Sequence, residues 1–205
     1  MKNYFALLLS VVVLSACGGG FQAAGDLAQG RQALFRGDNP TALGYFQMAA
    51  QTDPNYMFGT DREEGVYSYL GRAQYLNGQY AQARQSLEQD LAQHPRNSLS
   101  RLYLGLTLAR LNDRPAGQRD ITAGLTGIRD YINSVTSTAG DVRRFWDRYR
   151  QIRDAIAQAL AMIEQPNLNW DSLLNFCERI ANAWEQEPDF TLQSPEATRP
   201  YNLTP

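Results

Sequence analysis

Few residues in this chain could act as nucleophiles, acids, bases or metal ligands, and their spacing narrows the choice further. His94 is the only histidine, so neither a histidine-rich metal site nor a dyad with a second histidine is available. Its place just before Pro95 marks it as a partly exposed structural residue. The two cysteines, Cys17 and Cys177, are too few for a disulfide framework. Cys177 shares a helical stripe with Leu173, Leu174, Ile180 and Trp184, which predicts a buried thiol rather than a nucleophile. Lys2 is the only lysine, so beyond it no ε-amine is left for Schiff-base chemistry. Asp61, Glu63 and Glu64 form an acidic cluster. Paired carboxylates can hydrolyse glycosides, but a solvated, charge-rich loop is the plainer meaning. The run Arg143-Arg144-Phe145-Trp146-Asp147-Arg148-Tyr149-Arg150 interleaves aromatics with arginines, as nucleic-acid surfaces do. Wound on a helix, its aromatics join one apolar stripe and its arginines spread around the rest. No glycine-rich phosphate loop or metal-spaced cluster occurs. These residues predict no catalytic site, no metal, no cofactor and no nucleic-acid partner.

The elements that position these residues are helical. At 205 residues the chain suits one domain or a short repeat array, and 43% apolar composition is enough to bury a core. A net charge of −2 favours neither nucleic acid nor an anionic membrane.

The N-terminus reads as an address. Met1-Lys2-Asn3 is a short positive segment, and Tyr4 to Leu14 is an apolar run too short to span a bilayer. It closes in Leu14-Ser15-Ala16-Cys17, which resembles the lipobox of bacterial lipoprotein precursors. The resemblance implies cleavage after residue 16, with Cys17 acylated as the first mature residue. Gly18, not an acidic residue, follows it, which by similarity to enterobacterial sorting implies the outer membrane, periplasmic side. Residues 17–22 read as a short anchored linker, and four residues at ~3.5 Å each reach only about 15 Å. The folded part is thus expected to sit against the membrane.

Internal repeats organise the middle of the chain. Leu70-Gly71 and Leu104-Gly105 lie 34 residues apart. Tyr67 precedes the first pair; Gly78, Tyr80, Ala83, Leu87 and Pro95 follow it. An earlier copy runs through Gly30, Ala33, Gly37, Ala42, Phe46, Ala49 and Pro54, and a later one through Leu104, Gly105, Leu108, Gly117 and Ile121. These spacings resemble tetratricopeptide (TPR) repeats. The resemblance implies an all-α superhelix of about three helical hairpins over residues 23–134, with an enlarged loop near Tyr56 to Arg62. No copy has the consensus tryptophan, and the third lacks its closing proline. Asp141 is expected to cap a long helix whose stripe runs from Val142 to Ile163, ending at Pro166, and a second helix covers about Asp171 to Gln186. These two capping helices, residues 135–186, close the array. Residues 187–205, with four prolines, read as an irregular tail.

In TPR proteins the first helix of each repeat lines a concave groove. Carried over by register, the groove positions are Leu27, Arg31, Leu34, Arg72, Tyr75, Leu102 and Leu106. Arg31 and Arg72 hold equivalent places, so two readings stand: a clamp for an acidic or C-terminal carboxylate peptide, or solubilising charges. The resemblance implies a membrane-anchored scaffold or assembly factor that binds protein partners in the cell envelope. The alternative is an activator or accessory subunit of a cell-wall or polysaccharide-processing enzyme.

Overall fold

Small residues at fixed intervals, with glycine or asparagine at the turn inside each of three helix pairs, dictate helical hairpins. The computed structural model describes residues 18–58, 64–193 and 201–205. Among these the fold is all-α: eight α-helices, one short 3-10 helix and a two-residue antiparallel ladder. The chain divides into two compact units, Met1–Pro95 and Arg96–Pro205. Residues 1–16, read above as a signal segment, together with Cys17, Asp61 and Glu63, lie outside the described residues.

In the first unit, α1 (Gly18–Phe35) packs against α2 (Asn39–Thr52), and α3 (Val66–Leu76) against α4 (Tyr80–Gln93), with α2 also on α3. Helix α1 ends in a Schellman motif: Gly37 at φ 76° donates to the Leu34 carbonyl while Asp38 N–H reaches Ala33. Asp38 then caps α2 by accepting from Thr41 N–H, and Pro40 sits in the first turn. Gly78 at φ 73° repeats the motif between α3 and α4, donating to Tyr75 while Gln79 reaches Gln74.

The second unit contains the same device in other residues. Helices α5 (Ser98–Arg110) and α6 (Arg114–Thr138) are joined at Asn112, φ 66°, which donates to Ala109 while Asp113 N–H reaches Leu108. Asp113 caps α6 through Ala116 N–H, and Pro115 sits in its first turn. Asparagine tolerates the left-handed region better than other side-chain-bearing residues, so the turn forms without glycine.

One contact recurs in all three hairpins. A Cβ on Gly30 would strike the Phe46 ring, one on Gly71 would lie 2.6 Å from Leu87 Cγ, and one on Gly105 would strike the Ile121 backbone nitrogen. The partner stands sixteen residues after the glycine each time. The α5–α6 pair is the tightest, because Gly117 and Gly124 also meet backbone, at Gly105 O (2.9 Å) and Leu102 N (2.5 Å).

Several expectations are corrected. Residues 18–22 are not an extended tether, since α1 already begins at Gly18. The enlarged loop is partly paired, with Met57 opposite Gly65 and Phe58 opposite Glu64. The helix expected from Asp141 is broken: Val142–Phe145 is a 3-10 turn capped by Asp141, and α7 (Gln151–Ile163) starts only after left-handed Asp147 and Arg150. Asp147 prevents continuity, because its carboxylate accepts from the first amides of α7, Ile152 N–H (2.9 Å) and Arg153 N–H (3.0 Å). The last helix, α8 (Trp170–Gln193), runs seven residues past its expected end and carries Pro188 inside it. Pro188 removes one helical amide, but Glu187 and Thr191 around it are buried and bonded, the Thr191 hydroxyl donating to Glu187 Oε1 at 3.2 Å. The third hairpin also groups with the C-terminal helices rather than with the first two, because α7 packs on α6 and α8 on both α5 and α7.

Candidate functional site

The groove positions are the natural candidates, and the structure puts them inside. Leu27, Leu102 and Leu106 are wholly buried, Tyr75 is buried against Tyr80 with ring centroids 5.5 Å apart, and Leu34 packs on the first unit's core. Each arginine lies on an aromatic ring of its own unit. The Arg31 guanidinium carbon is 4.3 Å from the Phe58 centroid and 5.2 Å from that of Phe35; Arg72 is 4.8 Å from the Tyr69 centroid. Phe58 meets Tyr69 edge-on at 6.1 Å, so the four side chains form one stack, guanidinium–ring–ring–guanidinium.

The ladder explains how the stack forms. Pairing of Met57–Phe58 with Glu64–Gly65 carries Phe58 over α1 and turns Glu64 inward, where it is only 1% exposed. Tyr69 OH donates to Glu64 Oε2 at 2.5 Å, the short length of a hydroxyl held by a carboxylate. Glu64 is therefore not part of a solvated loop cluster. A peptide clamp needs both guanidinium forks facing solvent, yet Arg31 and Arg72 are 8% and 3% exposed. The open carboxylate groove expected at these positions is closed by the chain's own aromatics.

His94 is half-buried at the end of α4, with Nδ1 3.1 Å from Oδ1 of the buried Asp90. A Cβ on Gly65 would come within 2.9 Å of the His94 ring, so the missing side chain lets this pair close over the ladder. The arrangement pins the ladder to α4. Among the described residues no group of three His, Cys, Asp or Glu side chains could hold a metal.

The second unit has its own polar centre. Asp147, besides capping α7, accepts from Arg153 Nε at 2.9 Å, and its backbone carbonyl accepts from Arg153 Nη2 at 2.8 Å. Its N–H donates to Glu187 Oε1 at 2.7 Å, and Glu187 Oε2 accepts from Tyr201 OH at 2.5 Å. Beside it Tyr131, Trp146 and Trp184 pack mutually at 5.7–6.2 Å between centroids. The basic-aromatic run is thereby divided: Trp146 and Asp147 face the core, while Arg148 and Arg150 are exposed.

No family model, curated protein or solved structure matches this chain. The reading of its function therefore rests on its own residues.

Sequence reasoning missed Phe58, Tyr69, Asp90, Arg153, Glu187 and Tyr201, and gave Glu64 and Asp147 solvated surroundings that the structure replaces with buried ones. Asp90 and His94, four apart on one helix, carried a usable signal. Tyr69 and Arg72, three apart on one helix, carried a similar signal; the other contacts cross a turn or join different elements, where spacing is silent.

Cys177 is fully buried, and burial, followed by the neighbouring Glu178 charge, pushes its thiol up to about 12. An unfolded thiol ionises near 9, so between about 9 and 12 the unfolded chain releases a proton that the folded chain keeps. Stability should thus be undiminished by this group below pH 9 and fall as pH rises towards 12. At pH 8 the folded protein is expected to resist iodoacetamide and to react at Cys177 once urea unfolds it. Rapid alkylation of the folded protein would contradict the burial.

Proposed function

We propose that this chain is a lipoprotein, acylated at Cys17 and held on the periplasmic face of an outer membrane, whose TPR-like hairpins serve as a scaffold for a protein partner in the cell envelope. The observation that carries the scaffold reading is the repeated contact of Gly30 with Phe46, Gly71 with Leu87 and Gly105 with Ile121 at one constant offset. Three hairpins built to one register support a repeat array. The left-handed turns at Gly37, Gly78 and Asn112 recur in the same register and support it too. The anchor is supported by the ordered sequence of positive segment, apolar run and Leu14-Ser15-Ala16-Cys17. Arg31 and Arg72 have no part in this reading as ligand clamps.

The test is chemical. Mass spectrometry of the mature N-terminus is expected to find Cys17 first and acylated, with Cys17→Ser giving a chain without acyl groups. A free amino terminus beyond Cys17 would refute the anchor. The acylated protein, extracted from its native envelope in mild detergent, is expected to carry a second protein in fixed stoichiometry, and recovery of the chain alone would refute the scaffold.

A further inference from the structure

Helix α1 starts at Gly18, the residue after the cysteine read as the lipid attachment, so its first turns have no tether to lift them from the bilayer. Phe21, one turn in, is 86% exposed, and Phe35 at the far end is 37% exposed. Between them Gly25, Ala28 and Gln32 lie exposed on the same side, at intervals of three and four residues. Gln22 and Gln29 border this stripe, and no exposed position from 21 to 35 is charged: Asp26 is half-buried and Arg31 is buried on its rings. The stripe is about 21 Å long at ~1.5 Å per residue. Exposed Arg36 follows it.

We infer that this face of α1 is a membrane-contact surface, lying along a phospholipid bilayer with Phe21 and Phe35 in the interfacial layer. The inference rests on acylation at Cys17, which supplies the occupant: a helix that begins one residue after an acylated cysteine starts at the lipid surface. No helix among the described residues is long and apolar enough to cross a membrane. An uncharged face of small residues between two aromatics lets the helix approach the headgroups closely, and Arg36 can reach lipid phosphates from the edge. The stripe alone would bind weakly. Tethered at the residue before its start, it meets lipid at high effective concentration, so weak contacts suffice to orient the protein.

The experiment uses the acylated full-length chain in vesicles of phosphatidylethanolamine and phosphatidylglycerol. Phe21→Cys, Phe35→Cys and, as a reference on α4, Gln85→Cys are labelled with an environment-sensitive fluorophore; buried Cys177 stays unlabelled at neutral pH. Lipids carrying a nitroxide near the headgroup end of the acyl chain should quench the labels at 21 and 35 about twofold or more and leave that at 85 unchanged. Mass spectrometry of the same samples reports acylation. Acylated protein with labels at 21 and 35 as unquenched as that at 85 overturns the contact surface and leaves the anchor standing. Absence of acyl chains overturns both. Labels shielded from water but not quenched by lipid would mean contact between copies of the chain, which also overturns it.

Discussion

Gly105→Ala should destabilise the second unit by about 2–3 kcal/mol, although the same substitution in an unconstrained helix helps. Alanine gains roughly 0.5–1 kcal/mol over glycine in a helix interior. Against this stands a methyl placed on backbone atoms of the facing helix: Ile121 N, Gly117 O at 2.8 Å and the Asp120 carbonyl carbon at 2.9 Å. Backbone cannot change rotamer, so α5 and α6 must separate, and Leu102 against Gly124 would separate with them. At Gly71 the nearest atoms are Leu87 Cγ and Cδ2, at 2.6 and 2.9 Å, with the Leu87 backbone nitrogen at 3.2 Å; the side chain can move in part, so Gly71→Ala should cost less than Gly105→Ala, about 1 kcal/mol. Gly25 has nothing within 4 Å, so Gly25→Ala should stabilise by roughly 0.5 kcal/mol. All three tryptophans, Trp146, Trp170 and Trp184, belong to the second unit, so their fluorescence reports its unfolding while circular dichroism follows both. The ranking of the three variants in thermal melts is the result to read. Gly105→Ala melting at or above the unsubstituted protein would disprove the backbone contact.

Asp147→Ala is expected to cost about 3–5 kcal/mol, the range for breaking a buried ion pair by removing one partner. The Asp147 side chain is 1% exposed and that of Arg153 is 12% exposed. Removing the carboxylate takes the acceptor from two amides at the start of α7 and the counter-charge from an enclosed guanidinium. It also places alanine at φ 47°, a left-handed geometry that costs roughly 1–2 kcal/mol for ordinary residues. Asp147→Asn isolates the charge, because asparagine tolerates that geometry and keeps one acceptor oxygen; its loss should be smaller. Combining Asp147→Ala with Arg153→Ala should cost well under the sum of the two single losses, since the pair is already broken by either. Urea unfolding followed by tryptophan fluorescence measures all four. A value for Asp147→Ala within about 0.5 kcal/mol of the unsubstituted protein, the scatter of an ordinary surface change, would show that this centre does not hold the 146–151 break in place.

The candidate site was legible only in part. Both guanidiniums sit on rings in the first unit, Arg31 on Phe58 and Arg72 on Tyr69, rather than facing a groove. Their exposure was not legible, because the rings that cover them come from a different stretch of chain. Phe58 reaches Arg31 through the two-residue ladder, and the same ladder turns Glu64 inward to accept from Tyr69.

What the sequence by itself determined is local and repetitive. Helix ends at Gly37 and Gly78 follow from backbone sterics, the small positions Gly30, Gly71 and Gly105 from close helix approach, and buried Cys177 from the stripe it shares. Each depends on residues a few turns apart, where spacing along the chain fixes spacing in space. Tertiary structure alone decided where one helix stops being regular and what covers another. The apolar periodicity from Phe145 through Ile152 continues across a real break, because Asp147 finds partners in Arg153 and Glu187, the latter forty residues away. The helix at the C-terminus outruns Pro188 because Glu187 is buried and accepts from Asp147 N–H and Tyr201 OH, an environment a proline's local cost does not encode. Local sterics act through covalent neighbours and are written in order along the chain; burial is a property of whichever segment folds back on top.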